Sequence, residues 1–563
     1  MVLVAACVAA WAPCAMAAAP VGTTKVTRVA SEAPGSKRVA ETFVRVYAPL
    51  PESAGQHAAA CDWITYLRFR HVRGPRKASR ADAVGVFMPG YLGGAAYFDQ
   101  VARNTVRTAA ARGRFVEFWA LDRRSNCLED DRGVKAAARA EDPSVAYGYY
   151  YDGQEVDGRR FAGFRAGDDV EFLREVGIEQ TVRDWHTVLT RGIPKRRTRA
   201  RKVICGGHSL GGRITGAFSS WDFDGDPKTT KDAGFKQCAG YAGFDTRFSL
   251  TPSSSTPSVG PDAVLGTAGD AQDSPNENTT PLTPETFQLP PIFGVGAYYD
   301  PQGTDVLPEL PTTPNIEAAA RLLFSRNAAT FAAGPTIREF TVTNEAVLAG
   351  VFDDNSAPLS FLRASLGFFT GGPIADKNFP TQGDGTFGIP SEPALPVYGW
   401  ETYDEVGAPG HPLALNESGA PFTGRESEVA DVRQLARTHF EAPANFIEQY
   451  FPRRLSADVA ALGSGDRSGG LRHYRHNGQS KRPGLLIIAG ESRDNKTDEN
   501  GPPTMGDPPN GKALSRRVIL PGYNHNDVII AARRQNDGRP EPSSTALVDF
   551  ILAVVRQHRR PGR

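Results

Sequence analysis

The segment Val203-Ile-Cys-Gly-Gly-His-Ser-Leu-Gly-Gly-Arg213 constrains the fold more than any other part of the chain. A short apolar run leads into Gly207-His208-Ser209-Leu210-Gly211, and a helix-like pattern follows. The serine therefore stands at a strand–turn–helix junction of the G-x-S-x-G kind. A side chain projecting from so sharp a turn needs neighbours without a bulky Cβ, which accounts for Gly207 and Gly211. The helix that follows turns its free N–H groups and positive dipole end toward the space beside Ser209, where an oxyanion would form. A bare G-x-S-x-G also arises in glycine turns with a bystander serine. The flanking strand and helix are what favour a nucleophile.

Around this junction the chain alternates between strand and helix patterns. Strands are expected at Phe43–Tyr47, Trp63–Arg70, Ala83–Met88, Phe115–Leu121, the elbow strand, Cys238–Phe244, Gly484–Ala489 and Arg517–Leu520. Helices are expected at Asp168–Arg191, Leu210–Ser220 and Ala546–Gln557. Such alternation implies a mostly parallel sheet with helices on both faces, and reactive groups at the carboxyl ends of its strands. After Asp245 the composition changes. Thr251 to about Pro314 is rich in Pro, Ser, Thr and Gly, and helical patterns return at Ile316–Leu323, Glu345–Val351 and Glu426–Tyr450. The expected organisation is a leader at 1–19, a core at 20–246, an inserted cap at 247–475 and the rest of the core at 476–563. Within the cap, Phe287–Tyr299 and Phe361–Phe369 are apolar enough to line an acyl site. Serving as the cap's own core is the commoner use of such clusters.

The leader reads as a secretion signal: Val2 to Ala12 is apolar and small residues follow at Ala15–Ala19, although no basic n-region precedes them. Val4-Ala5-Ala6-Cys7 resembles a lipobox, which makes lipid anchoring a lesser alternative. No later segment is long and apolar enough to span a membrane. A secreted or periplasmic protein would keep Cys61, Cys127, Cys205 and Cys238 in an oxidising compartment, an even number open to three pairings. The 563 residues carry a formal net charge of +1 and no basic stripe, which argues against nucleic-acid binding.

A serine hydroxyl needs a base to take its proton. His525, in Leu520-Pro-Gly-Tyr-Asn-His-Asn-Asp527, follows the last expected strand, whereas His186 falls on a helix and His473 and His476 in a polar stretch. His208 lies inside the elbow, and its ring should point away from the serine. The carboxylate that orients His525 is expected at Asp494, which follows the Gly484–Ala489 strand and keeps the order nucleophile, acid, base. Glu491 and Asp498 are neighbours in the same loop, and Asp245, at the end of the preceding strand, is a competitor. An oxyanion requires two donors: Leu210 N–H, and Tyr91 N–H in the loop Pro89-Gly90-Tyr91-Leu92-Gly93-Gly94. Asp222-Phe-Asp224-Gly-Asp226-Pro has calcium-loop spacing without the full ligand series, and reads as a charged helix-ending turn. No zinc, phosphate or dinucleotide motif is present, so neither metal nor cofactor is expected.

Together, the strand, glycine loop, elbow, large insertion, Gly490-x-x-x-Asp494 and late His525 resemble the α/β-hydrolase fold, and within it bacterial secreted lipases and esterases. The resemblance covers about 40–246 and 480–558. Pro89-Gly90 stands where many esterases carry His-Gly, and the insertion is far larger than a usual lid. The resemblance implies hydrolysis of a small-molecule carboxylic ester with an apolar acyl part, through Ser209, His525 and Asp494. A serine peptidase, an acyltransferase or a non-catalytic binding protein of the same fold are the alternatives. In that family the second strand runs antiparallel beside the fourth, which implies a Cys61–Cys127 disulfide. Cys205 and Cys238 fall on neighbouring strands, as a bridge or as two buried thiols.

Overall fold

The computed structural model describes residues 19–250, 282–380, 387–393, 396–491 and 514–559. The expected leader lies outside these residues except for Ala19, and Asp494 and Asp498 lie outside them as well.

Among the described residues nine strands form one sheet: β1 (Thr24–Arg28), β2 (Val39–Tyr47), β3 (Trp63–His71), β4 (Ala83–Met88), β5 (Val116–Leu121), β6 (Val203–His208), β7 (Gly240–Phe244), β8 (Gly484–Ala489) and β9 (Arg516–Leu520). Their order across the sheet is β1-β2-β3-β5-β4-β6-β7-β8-β9. β1 to β3 are antiparallel, and β3 is antiparallel to β5, with Tyr66 opposite Leu121. From β5 to β9 every pairing is parallel. The swap of β4 and β5 beside an antiparallel β3 is the topology of the α/β-hydrolase fold. Strands β4 to β8 are buried on both faces, so they read as continuous apolar or small-residue runs rather than as alternating ones.

Four helices frame this sheet: α1 (Asp99–Ala111), α2 (Ile178–Gly192), α3 (Leu210–Ser220) and α4 (Pro542–Arg559). α1 packs against α4. α2 meets α3 through Trp185 and Phe218, whose rings stack at 4.7 Å. The single helix expected over Asp168–Arg191 is broken. Two 3-10 turns, Gly167–Asp169 and Glu171–Glu175, precede α2, because Gly177 is extended (φ −95°, ψ −159°) and starts the helix afresh. Val170, Phe172, Leu173 and Val176 still bury, so helical spacing alone could not reveal the break.

Between Thr283 and His473 no described strand joins the main sheet. Small sheets form instead, Thr341–Val342 with Val397–Thr402 and Gly367–Thr370, and Ile374–Asp376 with Gly388–Pro390. The helix Leu289–Tyr299 is buried along almost its whole length, which makes its apolar cluster core rather than a ligand surface. The helix expected over Glu426–Tyr450 is confined to Val432–Thr438, capped by the Asp431 side chain.

Both disulfides form. Cys61–Cys127 joins the start of β3 to the turn after β5, as the antiparallel pairing of those strands requires, with Cα atoms 5.0 Å apart. Cys205–Cys238 links β6 to the approach of β7, with Cα atoms 5.9 Å apart. Among the described residues no helix is long and apolar enough to cross a membrane.

Candidate active site

Ser209 sits between β6 and α3 with φ 52° and ψ −123°, a conformation that costs an L-residue energy and turns its side chain out of the sheet. The crossing is too tight for side chains at its flanks. A Cβ on Gly207 would stand 2.3 Å from the carbonyl carbon of Gly211, and one on Gly211 would stand 2.0 Å from the Met88 oxygen. The elbow is anchored to the next strand by Ser209 N–H, which donates to Phe244 O at 3.1 Å.

β6 and β7 pair in register, with His208 opposite Phe244, so the residue after Phe244 emerges beside the elbow. That residue is Asp245, at φ 40°. Its Oδ1 accepts the Ala489 N–H at 3.0 Å, and its Oδ2 lies 2.6 Å from Nδ1 of His525. The carboxylate set against His525 is thus Asp245, the competitor, while Asp494 lies outside the described residues. Bonding at Nδ1 leaves Nε2 as the other ring nitrogen of His525. No hydrogen bond joins it to Ser209 Oγ here, and such contacts often tighten only when substrate binds.

His208 packs against His525. Its ring packs 4.5 Å from the ring of His525 and edge-on to Tyr97 at 5.3 Å, and Nε2 lies 2.9 Å from the backbone carbonyl oxygen of His525. Burial, together with the neighbouring His525, lowers its pKa to about 3. The imidazole is therefore neutral at pH 7, and its bond to a carbonyl requires the proton on Nε2.

The glycine loop after β4 lies against the elbow, since a Cβ on Gly90 would stand 2.9 Å from Ser209 Cβ. Tyr91, next in the chain, is half-buried, with its ring 4.7 Å from Phe451 and 5.6 Å from Phe361. Leu210 is the first residue of α3, where a backbone N–H has no partner within the helix. Arg123 holds this loop from beneath. It donates to the carbonyls of Pro89, Gly90 and Gly93 at 3.0, 2.8 and 2.8 Å, and its Nε donates to Glu448 at 2.7 Å. Both side chains of that ion pair are fully buried. Glu448 also accepts from Ser125 Oγ, and its N–H donates to Leu92 O at 2.8 Å. The expected insertion thus reaches in through residues 445–448 to fix the loop.

The same insertion grips the loop that carries His525. Asp527, fully buried, accepts Ser365 N–H at 2.9 Å, Ser365 Oγ–H at 2.7 Å and Asn524 N–H at 2.7 Å. Asn524 in turn donates to Asp354 at 2.6 Å, and Asn526 N–H donates to Arg363 O at 3.2 Å. Burial raises Asp527 to about 6, and burial with repulsion from Asp527 raises Asp354 to about 7. A lone Asp after the histidine gave no sign of this in the sequence. A polar cavity of about 220 Å³, lined in part by Glu129, Arg165, Gln288 and Tyr450, includes none of the elbow residues.

No family model matches the chain, and no curated protein does. Among solved structures it is similar to a peroxisomal alpha-beta-hydrolase of Saccharomyces cerevisiae, at 11% identity over 93% of this chain and 92% of that one, with a TM-score of 0.34. An epoxide hydrolase from Vigna radiata is 11% identical over 88% and 95%, with a TM-score of 0.31. A thermophilic esterase from Thermogutta terrifontis is 10% identical over 88% and 95%, with a TM-score of 0.28. Likeness this distant says nothing of the reaction. The strand order identifies the fold.

Proposed function

We propose that the protein is a serine hydrolase that cleaves carboxylic esters of small molecules through an acyl-enzyme. In this reading Ser209 Oγ attacks the ester carbonyl while His525 Nε2 takes its proton. Leu210 N–H and Tyr91 N–H receive the negative charge that builds on the carbonyl oxygen. The tetrahedral intermediate collapses, and His525 returns the proton to the departing alcohol. Water, deprotonated by the same imidazole, then releases the acid and restores Ser209.

The observation that carries the reading is the 2.6 Å contact between His525 Nδ1 and Asp245, beside a serine at φ 52°. A carboxylate at Nδ1 fixes the tautomer that leaves Nε2 free to accept a proton, and it stabilises the imidazolium that results. The orienting acid is accordingly Asp245 rather than Asp494. Phe361, half-buried against Tyr91, offers an apolar surface for an acyl chain. Two disulfides fit an exported protein.

The test is a fluorophosphonate probe together with a panel of nitrophenyl esters of graded acyl length. Labelling and turnover by the wild type, both abolished in Ser209→Ala, are expected. A folded wild type that neither labels nor turns over any ester would overturn the reading in favour of a binding protein.

A further inference from the structure

The turn that ends α3 gathers three carboxylates, against which one cation, Arg475, stands at 3.6 Å. Asp222, Asp224 and Asp232 each present a carboxylate oxygen, and these oxygens lie within 4.8 Å of one another. Asp222 is fully buried. Its Oδ1 accepts the Gly225 N–H at 2.9 Å, but its buried Oδ2 accepts no hydrogen bond, and Arg475 Nη1 stands 3.6 Å away, beyond hydrogen-bonding reach. Asp232 repeats the pattern. Oδ2 accepts the Asp224 N–H at 2.5 Å, while Oδ1 is buried with no hydrogen-bond partner. A buried carboxylate oxygen without a donor is costly. Three carboxylates at the negative, carbonyl end of a helix add to that cost. The other close cluster of acids, Glu41, Asp99 and Glu441, also holds a buried oxygen without a donor, Glu41 Oε1, but there Arg103 and Arg437 lie among the acids and hydrogen-bond to them.

We propose that Asp222, Asp224 and Asp232 bind one divalent cation, and that the cation is Ca²⁺. The donors are all hard oxygens, which disfavours zinc or copper. Asp224 is exposed, so water can complete a shell of six to eight ligands, and an irregular turn suits Ca²⁺ better than the strict octahedron of Mg²⁺. The calcium-like spacing of Asp222-Phe-Asp224-Gly-Asp226 is incomplete as a linear motif. Asp232, folding back, supplies the donor that the run itself lacks.

The role is structural. α3 has 11 residues, so the site lies roughly 16 Å from Ser209 along the helix axis. Asp222 N–H donates to His473 O at 2.8 Å, so the cation would tie the far end of the elbow helix to the segment that leads into β8. This proposal stands independently of any reaction at Ser209.

The test uses full-length protein stripped with EGTA, titrated with CaCl₂ by calorimetry and melted with and without 10 mM Ca²⁺. One site is expected, with a Kd on the order of 10⁻⁴ to 10⁻³ M or tighter, and a Tm higher by a few degrees in Ca²⁺. Asp224→Asn/Asp232→Asn should lose both effects. In EGTA it should melt no lower than the stripped wild type, since it relieves repulsion, and this separates loss of binding from loss of fold. No heat of binding to folded wild type, equal Ca²⁺ responses in wild type and variant, or tighter binding of Mg²⁺ than of Ca²⁺ would each overturn the assignment.

Discussion

His208 Nε2 lies 2.9 Å from the backbone carbonyl oxygen of His525, so the residue before Ser209 holds the main chain at His525. The bond spans 317 positions in the chain and packs the two rings together. His208→Ala removes it together with the ring contact, leaving the Asp245 bond to hold the His525 side chain. On the proposed reading, kcat toward a nitrophenyl ester should fall by about 10- to 100-fold with little change in KM, the pattern of a misplaced catalytic group. An unchanged kcat in a folded variant would show that the bond does not position the base.

Asp245 and Asp494 make opposite predictions. Asp245→Asn should lower kcat by about 10³- to 10⁴-fold, because an amide at Nδ1 stabilises the wrong tautomer and no imidazolium. Asp494→Asn should leave kcat within about twofold of wild type. Steady-state rates for the two variants decide between the acids, and the reverse result would return the role to Asp494.

Arg123 and Glu448 test the anchoring of the glycine loop. Arg123→Met leaves Glu448 buried without its cation and should destabilise the protein by about 3–5 kcal/mol in urea unfolding. Adding Glu448→Gln should recover part of that loss, since the uncompensated charge is then gone. A double-variant loss equal to the sum of the losses in Arg123→Met and Glu448→Gln measured singly would mean that the pair is not coupled.

Asp527 gives a pH signature. Burial raises its carboxyl from 3.8 to about 6, so the folded protein holds this proton more tightly than the unfolded chain does. The corresponding stability is fully present below pH 4 and is lost as the pH rises through 6, to the extent of about 3 kcal/mol. Asp527→Asn cannot titrate. Its urea-unfolding free energy should therefore decline less than that of wild type between pH 4 and 7, and parallel profiles would contradict the shift.

The disulfides close loops of 66 and 33 residues. Chain entropy predicts that Cys61→Ser/Cys127→Ser destabilises the protein by about 4 kcal/mol, an upper figure because unfolded chains retain structure. Urea titration of the double variant checks this, and a loss below about 1 kcal/mol would show the bridge to be incidental.

Much of this architecture could be read from the chain because local chemistry and topology agreed. The apolar runs at Ala83–Met88 and Gly484–Ala489, and the turn at Ser209, each carry their own signal. Asp245 was harder. It and Asp494 both follow strands, and only the register of β7 between β6 and β8, with φ 40° at Asp245, turns the former toward His525. Arg123 with Glu448, and Ser365 with Asp527, were out of reach for another reason. A buried charge looks like a surface charge until its partner, 325 or 162 residues distant, is brought to it.

The grip of residues 445–448 on the glycine loop, and of Ser365 on Asp527, means that the long central stretch is no detachable ornament. Excising it to obtain a minimal protein would release the glycine loop and the loop that carries His525 at once. Homologous shortening in evolution would have had to invent replacement struts before the originals could be discarded.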